Sequence, residues 1–356
     1  MIIDIALCVL VVISSLHYFP YQHWVFRSLE FAKIQLSCIQ LIALLVLIYF
    51  FSALTFLSII LGLVLVSVFI HNLIILVPYT KLFPRESKAL KSSGKPISFL
   101  AVNVYQYNDQ YHLLINLIKE LKPDILLTIE SNKKWEKALE QVEHYFRNSK
   151  KIPQDNTYGM HFYTTLCTDS IKVNYFVADD LPTIEANLLT SKGKKFKFFG
   201  VHPPPPSPTE EETSKERDGD ILALGKKIQA IKDPCLVVGD FNNVAWSRSS
   251  KLFKKSTQLL DPRIGRGFIS TFHAKYLFFR FPIDLVFHNN SIYIQSLRTE
   301  KHINSDHFPI YGEFVLNAEI ETQESISEET NPEEDQQIDE MIDEGQSVES
   351  DNRENV

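Results

Sequence analysis

Two apolar blocks open the chain, and their polar breaks divide it before any other feature does. Residues 2–19 (IIDIALCVLVVISSLHYF) are apolar apart from Asp4 and the small polar positions near the end. A polar interval holding Arg27, Glu30 and Lys33 follows, and then the stretch from Ile34 to Pro78 contains no Asp, Glu, Lys or Arg. A membrane-spanning helix needs about 20 apolar residues, so the second block accommodates two, with a turn near Ser52 to Thr55. The first block lacks the basic start and small-residue cleavage site of a signal peptide, and counts as a third span. The pattern predicts a multi-pass membrane anchor of three transmembrane helices over residues 1–80 and a basic linker over 81–96, carrying Lys81, Arg85, Lys88, Lys91 and Lys95. With three spans, Arg27 and Lys33 share a side with that linker, and the positive-inside rule places both, and the domain beyond, in the cytoplasm.

From Ile97 the hydrophobic period shortens, and strands alternate with amphipathic helices. ISFLAVNV (97–104), DILLTIE (124–130), KVNYFVA, IEANLLTS, KKFKFFGVH, CLVVGDFN (235–242), IDLVFH (283–288), SIYIQSL and PIYGEFVL read as strands. Leu113, Leu114, Leu117, Ile118 and Leu121 recur at helical spacing, Ser131 opens a second helix as its cap, and a third spans about 210–231. Some 220 residues of this kind make one α/β domain over 97–316, in which many short strands form two packed sheets with helices outside.

Charge is distributed unevenly. From Glu319 onwards there are fifteen acids against one base, a net of −14; taken from the whole-chain −7, this leaves +7 on the first 318 residues. The like-charged tail, 317–356, is predicted to be disordered, and the mildly basic body suits an anionic substrate or a membrane surface. Four cysteines (Cys8, Cys38, Cys167, Cys235) show no metal or disulfide spacing.

The strand ends carry the chemistry. FLAVN ends at Asn103, ILLTIE at Glu130, FFGVH at His202 and CLVVGDFN at Asp240 and Asn242; FPIDLVF holds Asp284, and SDHFPI sets Asp306 and His307 before the last strand. One polar residue at a strand end is ordinarily a cap or turn former. Four carboxylates, two amides and two histidines delivered by buried strands demand a compensating cation if they converge. Oxygen-rich ligands select a hard ion, Mg²⁺ or Mn²⁺, with Glu130 and Asp306 as its ligands and Asn103 close by. Four prolines, Pro203 to Pro206, stop the strand behind His202 and give the next segment a preset path.

AVNVYQYN, DILLTIES, GVHPPPP, VVGDFNN, FPIDLVF and SDHFPI stand in an order and spacing that resemble the endonuclease/exonuclease/phosphatase superfamily, across roughly Ile97 to Leu316. The likeness is strongest to bacterial members with membrane helices ahead of the domain, which implies a bacterial inner membrane as the setting. It implies a four-layered α/β sandwich, two packed mixed sheets flanked by helices, with metal-dependent phosphoester hydrolysis at one edge. It further implies that Glu130 binds the metal, with Asn103 in support and Asp306 assisting. Asp240 activates the attacking water beside Asn242. His307 contacts the phosphoryl group and Asp284 holds its ring, while His202 faces the leaving group. Many members read Asp-His where this chain reads Asp284-Leu285.

The expected enzyme is a membrane-anchored, divalent-metal-dependent phosphodiester hydrolase whose anchor contacts the lipid bilayer. Two alternatives stand: a metal-dependent nuclease, which the modest positive excess does not favour, and a non-catalytic membrane scaffold whose acidic tail recruits a partner. Trp246, Arg248 and Lys251 behind GDFN, and Arg266, His273 and Lys275 in a glycine-bearing loop, are weaker candidates for substrate contact. Arg217 and Asp218 are expected to pair on an exposed helix surface.

Overall fold

The computed structural model describes residues 2–19, 21–90, 95–317, 323, 325–326 and 328–348. The described residues of the N-terminal region form four α-helices: α1 (Ile2–Ser15), α2 (Trp24–Phe31), α3 (Lys33–Tyr49) and α4 (Phe56–Leu76). Thr55 caps α4 by accepting from the Ser58 N–H, and Pro78 interrupts the helical continuation beyond it. Leu7, Leu47 and Leu65 meet where α1, α3 and α4 pack. The outward faces are apolar too: Ile48, Tyr49, Phe56, Leu63 and Ile74 are exposed.

Of the three expected spans, the structure supports one or two. Among the described residues α4, with its final turn to Tyr79, is the one helix long and apolar enough on its own to cross a membrane; α2 and α3 add a second crossing if the pair, bent by 72°, counts as one. The helix from Ile2 to Tyr18 is shorter. The polar interval around Arg27 is not a loop between spans. It folds as α2, which lies against the body: the Trp24 N–H donates to Glu212 O, and Trp246 Nε1 donates to Glu30 O.

The body alternates strands and helices: β1 (Ile97–Asn103), α5 (Tyr111–Leu121), β2 (Ile125–Ile129), α6 (Lys133–Glu143), β3 (Asn148–Ile152), β4 (Met160–Thr164), β5 (Cys167–Asn174), β6 (Thr183–Leu189), β7 (Lys195–Val201), α7 (Lys215–Gln229), β8 (Cys235–Asp240), α8 (Arg248–Thr257), β9 (Asp284–His288), β10 (Ile292–Thr299) and β11 (Ile310–Leu316). One sheet runs β10-β11-β1-β2-β4-β3 and the other β5-β6-β7-β8-β9. The β1–β2 and β7–β8 pairs are parallel and the rest antiparallel, so both sheets are mixed.

Alternation along each central strand explains the layering. Phe99 and Ala101 of β1 and Ile125, Leu127 and Ile129 of β2 face the other sheet, where Phe196, Phe198, Leu236 and Val238 meet them. Leu100, Val102 and Leu126 point the opposite way, onto α5 and α6. Phe199, Val201 and Val237 point onto α7 and α8. Central strands buried on both faces are apolar throughout, and the result is a four-layered α/β sandwich.

Two local expectations change. The cap of α6 is Asn132, whose side chain accepts from the Lys134 and Trp135 N–H groups, while Ser131 Oγ turns back to donate to Thr128. Arg217 and Asp218 do pair, at 2.9 Å, yet both are buried.

The acidic tail departs further from expectation. Residues 332–346 form a helix, α9 (Pro332–Gln346), laid on α7, with Ile338 and Met341 in the core beneath. Asn331 and Glu334 close a capping box at its start. Lys255 and Lys226 neutralise Glu334 and Asp339 at 2.7 and 2.8 Å. The helices cross closely: a Cβ on Gly219 would lie 3.0 Å from Gly345 Cα. The apolar stripe and the lysines outweigh the like-charge repulsion that predicts disorder. The expected disorder at 318–322 and 349–356 lies outside the described residues.

Candidate active site

Parallel β1–β2 and β7–β8 pairs at the centre of each sheet send their C-terminal ends to one edge of the sandwich. Asn103 ends β1, Glu130 follows β2, His202 follows β7 and Asp240 ends β8. Asp284 opens the antiparallel β9 and pairs in register with Asp240. The loop ahead of β11 supplies Asp306 and His307. Gly239 permits the approach of β8 to β7, because a Cβ there would stand 2.1 Å from Val201 O.

Side-chain contacts join these ends. Asn103 Nδ2 donates to Glu130 Oε1 at 2.7 Å and to Asp240 Oδ2 at 3.1 Å. Its own oxygen accepts from the Tyr105 N–H at 3.0 Å. Glu130 Oε2 accepts from the Gln106 N–H at 3.1 Å, and Asp240 Oδ1 from the Asn242 N–H at 2.9 Å. His307 Nδ1 lies 2.8 Å from Asp284 Oδ2, and its Nε2 lies 3.4 Å from Asp240 Oδ2. His202 Nε2 stands 4.0 Å from the same Asp240 oxygen. Asn242 Nδ2 donates to Pro203 O at 3.0 Å, which links the GDFN turn to the proline segment. Asp306 accepts from Ser305 Oγ at 3.3 Å.

Two of these residues hold unusual backbone. Glu130 has φ 60° and Asn242 has φ 47°, the left-handed region that non-glycine residues enter at a cost of order 1–3 kcal/mol. The cost is sustained where neighbouring hydrogen bonds fix the side chain, as the Asn103 and Gln106 bonds do for Glu130.

Burial sets the charge states. It pushes Glu130 up to about 7, against the hydrogen bond from Asn103. It likewise raises Asp240, against the attraction of His307. Burial alone would lower His307, but the carboxylates of Asp284 and Asp240 outweigh it and lift the imidazole to about 10. His202 goes the other way, lowered to about 4 by burial despite Asp240, and its Nδ1 has no partner. At neutral pH His307 is therefore cationic and His202 neutral.

A divalent cation fits this donor set. Glu130, Asp240, Asp284 and Asp306 crowd around one cationic imidazole, and ionising all four together calls for further positive charge. Asp240, Asp284 and His307 bring ligand atoms within 4.8 Å of one another. That trio makes a poor cage, because the protonated His307 has no lone pair to give and Asp284 is committed to it. Glu130 and Asp306 offer hard oxygens without that conflict.

The site opens into a cleft of about 660 Å³. Its floor is Glu130, His202, Asp240, Asp306 and His307; its walls are largely apolar, with Leu29, Phe31 and Ala32 from the N-terminal region and Phe272, Phe279 and Phe281 from the loop before β9, while Thr157, Ser207, Thr209 and Glu210 give it a polar side. Among the described residues no Lys or Arg lines it. Gln35 Nε2 donates to Phe278 O at 2.8 Å, closing the wall between α3 and that loop.

All eight sequence-derived candidates gather here; Asn103 and Asp284 contact cleft residues without lining the cleft themselves. Trp246, Arg248 and Lys251 do not reach it: Trp246 is core, and the two cations face another cavity. Arg266 is occupied by the carbonyls of Pro262 and Ile294. Unforeseen in the sequence were Gln106, whose N–H holds Glu130, and Ser305, whose hydroxyl donates to Asn103 O at 2.8 Å and accepts from the His307 N–H at 3.0 Å. Phe272 was unforeseen too; its ring centroid lies 4.9 Å from that of His307. The adjacency of Gln106 and Ser305 to the motifs is the one signal that pointed to them.

Comparison with known proteins agrees with this geometry. A family model described as the Endonuclease/Exonuclease/phosphatase family matches residues 100–307. Among solved structures, TDP2 from D. rerio in complex with a single-strand DNA product is similar over 62% of this chain and 100% of its own, with TM-score 0.54 and 16% identity. The human Nocturnin catalytic domain with bound sulfate is similar over 63% and 94%, with TM-score 0.52 and 16% identity. An endonuclease/exonuclease/phosphatase from Bacteroides vulgatus is similar over 63% and 100%, with TM-score 0.51 and 17% identity. No curated protein matches the chain.

Proposed function

The chain belongs to the endonuclease/exonuclease/phosphatase family, whose members are metal-dependent hydrolases of phosphoester bonds; from that premise we propose that it is a membrane-anchored hydrolase of phosphodiesters bearing an apolar group. The observation that carries the substrate class is the cleft wall. A polynucleotide would bring a charged phosphate at every step and draw lysines and arginines to its path. Here phenylalanines and leucine flank the catalytic floor, and cations are lacking among the described lining residues.

Glu130 and Asp306 would hold the divalent ion, Mg²⁺ or Mn²⁺, with Asn103 orienting Glu130 and Asp240 together. Bound there, the ion supplies charge neutralisation and Lewis-acid polarisation of the phosphoryl group. Asp240, fixed by the Asn242 N–H and Asn103, takes the proton of the attacking water. His307 carries a positive charge beside Asp240 and steadies the charge that grows on the phosphoryl oxygens; Asp284 fixes its ring and proton. Asn242 shapes the turn that presents Asp240. His202 has no proton to give at neutral pH in the free protein. An incoming phosphoryl anion would raise its basicity, so its donation to the leaving group belongs to the substrate complex.

The anchor is the N-terminal helical region, whose exposed apolar faces suit a bilayer; a cytoplasmic domain follows the charge pattern of the linker, and a bacterial inner membrane rests on the family resemblance alone. The nuclease and the scaffold remain the competing readings. Full-length protein in lipid-detergent micelles, given bis(p-nitrophenyl) phosphate, a phospholipid, DNA and RNA with Mg²⁺, Mn²⁺ or chelator, tests all three. Chelator-sensitive hydrolysis with preference for the phospholipid is expected. Preference for DNA or RNA would replace this reading by the nuclease, and folded protein inert to all four would replace it by the scaffold.

A further inference from the structure

A second cavity, of about 320 Å³, lies where the N-terminal helices meet the body, apart from the catalytic cleft. Arg27, Glu30, Lys33, His71, Arg248 and Lys251 are its charged or titratable walls, with His17 completing the set. Arg27 and Glu30 bond each other at 3.0 Å and cancel. Lys33 is buried, 2% exposed, and its ammonium meets only neutral groups: His17 Nε2 at 2.7 Å and Asn72 Oδ1 at 3.2 Å. Arg248 and Lys251, projecting from the first turn of α8, are exposed and have no hydrogen-bond or ion-pair partner among the described residues. Lys33, Arg248 and Lys251 thus add three cations to a cavity whose one carboxylate, Glu30, is already paired with Arg27.

The neutral groups are also arranged as donors. Because the Lys33 ammonium donates to Nε2 of His17, the His17 proton sits on Nδ1, and that atom is buried without a partner. Arg27 Nε is likewise buried and unpartnered. Isolated buried charge and orphaned donors are costly, and one anion relieves both. The cavity's height matters as well. It stands at the body-side ends of α1, α3 and α4, ringed by Tyr18 and Phe19, both about half exposed, and polar side chains with exposed aromatics at such ends mark the headgroup level of a bilayer.

We propose that this cavity binds a phosphate-type anion, either the headgroup of an anionic membrane lipid or free phosphate. Lys33, Arg248 and Lys251 supply the charge, and the Nδ1–H of His17 and the Nε–H of Arg27 supply directed hydrogen bonds. The site is independent of the catalytic reading; only its lipid form rests on the membrane anchor.

Full-length protein is reconstituted in nanodiscs of phosphatidylcholine with or without phosphatidylglycerol, and in detergent it is titrated with inorganic phosphate. Bound anion is read by native mass spectrometry and by thermal shift, for wild type, R248A, K251A and the double variant. Since each surface cation contributes on the order of 1 kcal/mol to anion binding, about fivefold should be lost per substitution and about 25-fold for the pair. Loss of this size for phosphatidylglycerol alone assigns a lipid headgroup; the same loss for phosphate assigns the free anion as a sufficient ligand. Both residues are exposed, so unchanged thermal midpoints in the absence of anion certify the fold. Wild type that binds neither anion, or variants that bind as wild type, would overturn the site.

Discussion

His307 Nδ1 and Asp284 Oδ2 stand 2.8 Å apart, buried together beside Asp240, although 23 residues separate them in the chain. This contact keeps the imidazole protonated and its Nε2 aimed at the Asp240 oxygen 3.4 Å away. In Asp284→Asn the amide neither repels the wrong tautomer nor stabilises the cation. The turnover number is expected to fall by about 10²–10⁴-fold with little change in KM. An activity within threefold of wild type would remove His307 from the mechanism.

His202 should matter in proportion to the leaving group's need for a proton. His202→Ala is expected to slow hydrolysis of an alkyl phosphodiester by about 10²-fold or more, and that of a p-nitrophenyl diester far less. Equal losses on both substrates would show that the ring acts elsewhere than at the leaving group.

Acid sensitivity should trace partly to His161 of β4, buried with neither ring nitrogen partnered and lowered to about 3 by that burial, with Lys151 assisting. The unfolded imidazole binds its proton near 6.5, so the unfolded state holds more protons below that pH. Stability is then lost as pH falls from 6.5 towards 3, at up to ~1.4 kcal/mol per unit. His161→Phe should flatten the drop in thermal midpoint between pH 6.5 and 4.5. A variant that tracks the wild-type slope would contradict this.

The C-terminal helix should behave as a docked part of the body. Ile338→Ala removes a side chain that is 1% exposed, for which a cost of roughly 2–5 kcal/mol is expected. Because α9 is an outer helix that pairs with no strand, the loss should appear as faster hydrogen exchange in 332–346, with β1 and β8 unaltered. Slow exchange in that span of the variant would refute the docking.

The sandwich and its floor are legible because each central strand is a short apolar run closed by one polar residue, and the ends of parallel neighbours must lie together. The order Asn103, Glu130, His202, Asp240 therefore carries both topology and site. What escapes a sequence reading is carried by contacts without a local pattern. Leu29 and Phe31 belong to a segment that reads as a connector between spans, yet they wall a cleft whose floor begins only at Glu130. Like charge dominates the reading of the tail, although Asn331, Pro332 and Glu334 spell a helix start and Ile338, Met341 and Ile342 a buried stripe. Arg217 and Asp218 read as a surface pair because nothing local reveals that α9 packs on α7 or that Ser249 and the Asn242 carbonyl meet them.

The bond from Trp246 Nε1 to Glu30 O fastens the body to the very helix that walls its cleft. Cutting the polypeptide ahead of β1 would thus do more than release a soluble catalyst from its mooring: it would strip one side from the substrate channel. Selectivity measured on such a fragment would belong to a half-open enzyme, and a broadened substrate range would be a product of the cut.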